Sequence, residues 1–80
     1  MRVSDIERAI NDWTSVNKYN IPINIEWQYV NEDLGDITGD HRYKVKLLAY
    51  SGWSMIFKYF GMKYYGTWSF DELHWKIEEM

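Results

Sequence analysis

Hydrophobic residues recur with a helical period at the start of the chain and with a period of two further along. Ile6, Ala9, Ile10, Trp13 and Val16 repeat at the spacing of one helix face, while Asp5, Glu7, Arg8, Asn11, Asp12 and Ser15 fill the other. Ser4 followed by Glu7 matches a capping box, so the pattern predicts a helix that opens there and closes in residues 17–20. From Ile21 the period changes: Ile21, Ile23, Ile25, Trp27 and Tyr29 alternate with Asn24, Glu26 and Gln28, as in a half-buried strand with Pro22 near its start. After the polar turn NEDLGDITGD, Tyr43, Val45, Leu47 and Ala49 alternate with Arg42, Lys44 and Lys46. A hairpin folded about Asp36 would set Trp27 opposite Val45, Ile25 opposite Leu47 and Tyr29 opposite Tyr43 on the core face. Glu26 would then meet Lys46, and Gln28 would meet Lys44, on the other.

Ser51 and Gly52 supply a second turn, and MIFKYFGMKYYG, rich in aromatics, predicts a third strand. Trp53, Ile56, Phe57, Phe60 and Tyr64 also fit helical spacing, but Gly61 interrupts them and strong helix formers are few. Ser69 and Glu72 form a second capping-box pattern, and Phe70, Leu73, Ile77 and Met80 make the apolar stripe of a closing helix. The expectation is one α+β domain over residues 1–80, ordered helix, three strands, helix. Its antiparallel three-stranded sheet would carry both helices on one face. Eighty residues allow one core and no more.

The third strand is unusual because both of its parities are apolar: Met55, Phe57 and Tyr59 on one, Ile56, Phe60, Met62 and Tyr64 on the other, with Lys58 the clear polar marker. Whichever parity meets the helices, large rings remain on the opposite side, at what a simple meander would make an open edge. An exposed apolar surface of that kind marks a contact site. Lys44, Lys46, Trp53, Phe57, Lys58, Tyr59 and Tyr64 are therefore the candidate partner-binding residues, the rings as anchors and the lysines setting orientation.

The chemistry of catalysis is sparse. His41 and His74 are the two histidines and there is no cysteine, so a nucleophile with a positioned base has few possible members. His41 reads as a solvated turn residue, and His74 as a core-edge imidazole on the helix face of Phe70 and Ile77. Glu32, Asp33, Asp36 and Asp40 crowd one loop without the spacing of a calcium-binding hand, and the histidines lack metal-ligand spacing, so no metal or cofactor is expected. Gly61 and Gly66 lack the lysine and hydroxyl partner of a phosphate loop. No enzyme is expected.

A formal net charge of −3 argues against a generic polyanion binder. The stripe Arg42, Lys44 and Lys46 beside the third-strand rings nevertheless leaves nucleic-acid binding as an alternative, and pairing through the third-strand edge leaves a homodimer as another. The early residues MRVSDIERAINDW carry charge where a secretory signal would be apolar, and no apolar run is long enough to span a membrane, so a cytoplasmic protein is expected.

Helix, three strands, helix is similar in element order to double-stranded RNA-binding domains, but their second helix opens with a lysine cluster. SFDELHWKIEEM places Asp71 and Glu72 there, which would repel phosphate. The same order resembles small mobile-element inhibitors of host machinery, including some anti-CRISPR proteins. That resemblance implies a phage-like, anti-defence inhibitor of a host protein. It joins the expectation, drawn from the third-strand rings, of a non-enzymatic binding module that docks through its aromatic sheet face.

Overall fold

A computed structural model describes residues 2–16, 26–35 and 45–80. Helix α1 spans Val3–Thr14, and five strands follow: β1 Gln28–Gly35, β2 Val45–Tyr50, β3 Ser54–Tyr59, β4 Met62–Ser69 and β5 His74–Glu79. They form one antiparallel sheet in the order β1-β2-β3-β4-β5, each strand beside its neighbour in sequence. This is a mostly-β small domain. The expected three-stranded sheet with two helices is incorrect at two places, both in the second half of the chain.

The first is the aromatic segment, which holds two strands joined by a turn at Phe60 and Gly61. Both residues have positive φ, 58° and 73°, the signature of a two-residue hairpin turn whose twist matches its strands. The turn pairs Phe57 with Tyr64 and Tyr59 with Met62, so odd positions of β3 share a face with even positions of β4. Alternation read through the turn as one strand assigns Phe57 and Tyr64 to opposite faces. In the hairpin their rings stack on the same one, with centroids 5.6 Å apart. The apparent two-sided strand is thus two ordinary one-sided strands.

The second is the C-terminal segment. Ser69 Oγ does accept from the Glu72 backbone N–H at 3.1 Å, as a capping serine would, and the Leu73 N–H reaches the Ser69 carbonyl at 2.8 Å. One turn forms and ends at once, because Leu73 adopts φ 56° and turns the chain back along β4. Trp75 and Ile77 then point into the core while Lys76 and Glu78 face out. Of the expected helical stripe, Ile77 alone is buried; Phe70, Leu73 and Met80 are exposed. Pairing with β4 gives Trp75 and Ile77 the apolar neighbours that a lone terminal helix would have had to find elsewhere.

The first hairpin forms in a different register. Tyr29 pairs with Ala49, Asp33 with Lys46 and Gly35 with Val45, and the ladder is interrupted twice, once beside Asn31 with φ 47°. The turn therefore lies beyond Gly35, and Lys46 meets Asp33 where Glu26 was expected. Val30 packs on the core, whereas Trp27 and Tyr29 are exposed. The predicted strand positions 21–25 and the residues Asp36, His41, Arg42, Tyr43 and Lys44 lie outside the described residues.

Helix α1 begins two residues earlier than expected. Asp5 is its reach-back residue, accepting from the Arg2 N–H at 3.4 Å, in place of the Ser4 and Glu7 pair. Ile6 and Ile10 enter a core built from Val45, Leu47, Tyr50, Met55, Phe57, Tyr59, Tyr64, Trp75 and Ile77, and Val3 and Trp13 pack at its margin. The polar flank of α1 closes the free edge of β5. Asn11 accepts from the Trp75 N–H at 2.6 Å and donates to the Trp75 carbonyl at 2.8 Å, as a neighbouring strand would, and Glu7 accepts from the Ile77 N–H at 2.9 Å. Residues four apart on a helix rise about 6 Å and residues two apart on a strand about 6.8 Å, so one helix face can serve alternate outward groups of the edge.

Candidate functional site

The sheet face away from the core carries a run of three lysines among the described residues. β2, β3 and β4 are one-sided strands, so the residues between their buried positions face outward: Lys46, Lys58 and Lys63 are all exposed. The ladder aligns them, with Lys46 opposite Lys58 and Lys58 opposite Lys63. The three therefore make a row across three adjacent strands, about 4.8 Å apart per step at the backbone. Directly opposed like charges destabilise a sheet. Asp33 stands opposite Lys46 at the outer end of the row.

Beside this row runs an apolar one. Ile56 is paired with Tyr65, both half-buried, and the Tyr65 hydroxyl lies 3.2 Å from Ser54 Oγ, which holds the ring in place. Leu48, at the bulge between Leu47 and Ala49, is the half-buried residue of β2 next to them. Glu78 of β5 is paired with Tyr65 and ends the row with negative charge.

Of the candidate partner-binding residues, Lys46 and Lys58 belong to this face and are exposed. Lys44 lies outside the described residues. Phe57, Tyr59 and Tyr64 are core residues, at 1%, 1% and 6% exposure, so their rings are not presented on the surface of the fold. Trp53 is exposed, but in the turn between β2 and β3, where its ring packs on Phe70 with centroids 5.2 Å apart. Lys63 was missed. Its spacing from Lys58 places it beside Lys58 only when the turn at Phe60 and Gly61 is recognised, and a bulky residue at the first turn position disguises that turn.

A second group of charges lies where β5 meets α1. His74 Nε2 is 3.5 Å from Glu72 Oε2 and 3.7 Å from Glu7 Oε1, and Lys76 Nζ is 2.7 Å from Glu72 Oε1. The hydrogen bond from Lys76, and then its charge, hold the Glu72 carboxyl below its ordinary value; the same contacts raise Lys76. A shallow depression of about 320 Å³ opens beside them, lined by Glu7, Thr67, Lys76, Ile77 and Glu78. The charges there are committed to each other and to the β5 backbone, an arrangement that fastens the helix to the sheet. Among the described residues, no group of three His, Cys, Asp or Glu side chains is arranged to hold a metal ion.

No protein-family model matches the chain, and comparison with curated proteins and with solved structures returned no match. Both resemblances in element order rested on a closing helix, which is a strand here, so neither carries over. No helix among the described residues is long and apolar enough to cross a membrane.

Proposed function

We propose that this protein is a non-enzymatic binding module that docks an acidic protein surface through the outer face of its sheet. The observation that carries this reading is the in-register row Lys46, Lys58 and Lys63, a repulsive arrangement that an opposing acidic surface would relieve. The apolar row of Ile56 and Tyr65 beside it offers contact area next to the charge, as the centre and rim of an interface do. On this reading no docking role falls to Phe57, Tyr59 and Tyr64, which are buried, or to Trp53, which packs on Phe70 in the turn between β2 and β3. The lysines expected to set orientation take the leading part, with Lys63 added. A cytoplasmic setting accords with a chain that has no cysteine.

Single-stranded nucleic acid is the weaker reading. Such ligands stack on several rings; among the described residues the ladder puts Tyr29, opposite Ala49, and Tyr65, opposite Ile56, on this face, Tyr65 is already tied to Ser54, and the protein has a net charge of −3. Self-pairing through β3 has no open edge to use, since β3 is hydrogen-bonded to β2 on one side and β4 on the other.

The test is affinity capture from nuclease-treated lysate of the source organism, with wild-type protein and the Lys46→Glu, Lys58→Glu, Lys63→Glu triple variant as baits. Proteins retained by the wild type, released by salt and missing from the variant are the expected result. The same proteins on both baits, or none on either, would remove the lysine face from the function.

A further inference from the structure

The shape of the outer face narrows the kind of acidic surface it fits, and we propose that its occupant is an acidic amphipathic α-helix lying across the strands. The inference rests on the reading of this face as a docking surface.

Two rows run side by side in the same direction. Lys46, Lys58 and Lys63 form one; Ile56 and Tyr65, two positions along β3 and β4, form the other, with Ala49 paired to Ile56 across the β2 bulge at half-buried Leu48. Two residues along a strand separate the rows by about 6.8 Å, and a helix with its side chains is about 10 to 12 Å across, wide enough to cover both. An extended peptide directs a single line of side chains toward the sheet and would leave one row uncovered. Along the lysine row, three strands span about 10 Å at the backbone, and residues i and i+7 of a helix are separated by about 10.5 Å of rise. Acidic residues at i, i+4 and i+7 would each meet one lysine, while the adjacent apolar stripe of the same helix settles on Ile56 and Tyr65.

The basic row is also short and bounded by acids. Asp33 stands opposite Lys46 at one end, and Glu78 stands opposite Tyr65 toward the other. A continuous polyanion such as a nucleic-acid backbone would run past the lysines onto Asp33 at the β1 end, with Glu78 two residues to the side at the β5 end. A helix that is acidic over two turns stops before reaching them.

The experiment uses labelled synthetic peptides of about 16 residues, long enough to hold helix. One carries Glu at i, i+4 and i+7 beside a Leu stripe; the other has the same composition scrambled. Fluorescence anisotropy is measured with the full chain, and an oligothymidylate of similar length serves as the nucleic-acid probe. The patterned peptide is expected to bind at least about tenfold more tightly than the scrambled one, with the preference lost in both Lys58→Glu and Ile56→Ser. Circular dichroism of the complex with unlabelled peptide should show a gain of helix. Equal affinity for both peptides would overturn the helix reading, as would binding without a gain in helix, or tighter lysine-dependent binding of the oligothymidylate. If lysate capture still depends on the lysines while the peptides show no preference, the helix inference fails alone; failure of both experiments removes the docking surface itself.

Discussion

Replacing Lys58 by glutamate should stabilise the fold while abolishing binding, a combination that a purely structural role for the residue would not produce. Lys58 is the centre of the row and is paired across the sheet with Lys46 on one side and Lys63 on the other. The change removes two like-charge neighbours and creates two opposite-charge ones, each cross-strand pair being worth about 0.2 to 1 kcal/mol. Lysine and glutamate are both poor strand formers, so propensity nearly cancels. Long exposed side chains also give up part of the gain to entropy and solvent. A net stabilisation of about 1 kcal/mol follows, which for a domain of this size is about 4 to 8 °C in Tm. Thermal and urea denaturation at low salt measure it. Repeating them near 1 M salt, where the screening length is about 3 Å, should erase the difference. A variant less stable than wild type at low salt, or a gain that survives high salt, would show that the lysines do not repel across the ladder, and the main argument for an anionic partner would go with it.

Asn11→Ala should cost about 1 to 3 kcal/mol, because the Trp75 N–H and carbonyl lose the side chain that serves both; urea denaturation and faster amide exchange at Trp75 report the loss, and unchanged exchange there would refute it. Phe60→Asn should raise stability by about 1 kcal/mol, since a bulky residue at φ 58° occupies a turn position suited to asparagine before Gly61. A lower denaturation midpoint would mean that the edge-on contact of Phe60 with Tyr59, centroids 4.7 Å apart, outweighs the backbone cost. Lys76→Ala should let the Glu72 carboxyl titrate closer to its ordinary value, as followed by NMR. Because Glu72 is depressed in the folded state, its contribution is present above the unfolded carboxylate range and disappears as pH falls through the folded value; an unmoved Glu72 midpoint in the variant would contradict the pairing. Sedimentation equilibrium should find a monomer that does not grow with concentration, and a dimer sensitive to changes at the β1 or β5 edge would refute the closure of those edges.

The N-terminal half of the pattern was legible because its periods are uninterrupted. Ile6 and Ile10 are core residues of α1, and Val45 and Leu47 are core residues of β2 while Lys46 faces out, as the alternation requires; beyond the bulge at Leu48 the parity switches, so Ala49 pairs with outer-face Ile56 and Tyr50 enters the core. The register of the first hairpin was not legible. Several even slips keep the same faces, and the bulge at Asn31 then exchanges Tyr29 for Val30 on the core side. In the second half, two local signals were genuine but too short to decide structure. Ser69 makes its capping bond, yet it closes a single turn before a strand. The apolar spacing of Phe70, Leu73 and Ile77 fits a helix, while Trp75 and Ile77 with Lys76 and Glu78 fit a strand equally well; the long-range pairing with β4 settles between them. As for the site, Lys46 and Lys58 were visible as outward markers, but their alignment with Lys63 is a property of three strands in register and of no single one.

The same hairpin that hides the rings creates the charged row. A turn at Phe60 and Gly61 folds Tyr64 onto Phe57 and, by the same parity, must set Lys63 beside Lys58. Both sheet edges have devices that discourage a further strand. Asn11 and Glu7 occupy the outward groups of β5, and β1 is broken by bulges and carries Glu32 and Asp33. Among the described residues the core face packs against α1 and each edge is occupied or irregular, so the proposed docking would use the outer face. A surface selected for solubility alone would scatter charges of both signs across that face. Here Lys46, Lys58 and Lys63 stand consecutively on one rung, with Asp33 at its β1 end and no acid between them. If the Lys58→Glu variant proves more stable, that run of like charge is kept against the stability of the sheet, which is the argument for the proposed acidic ligand.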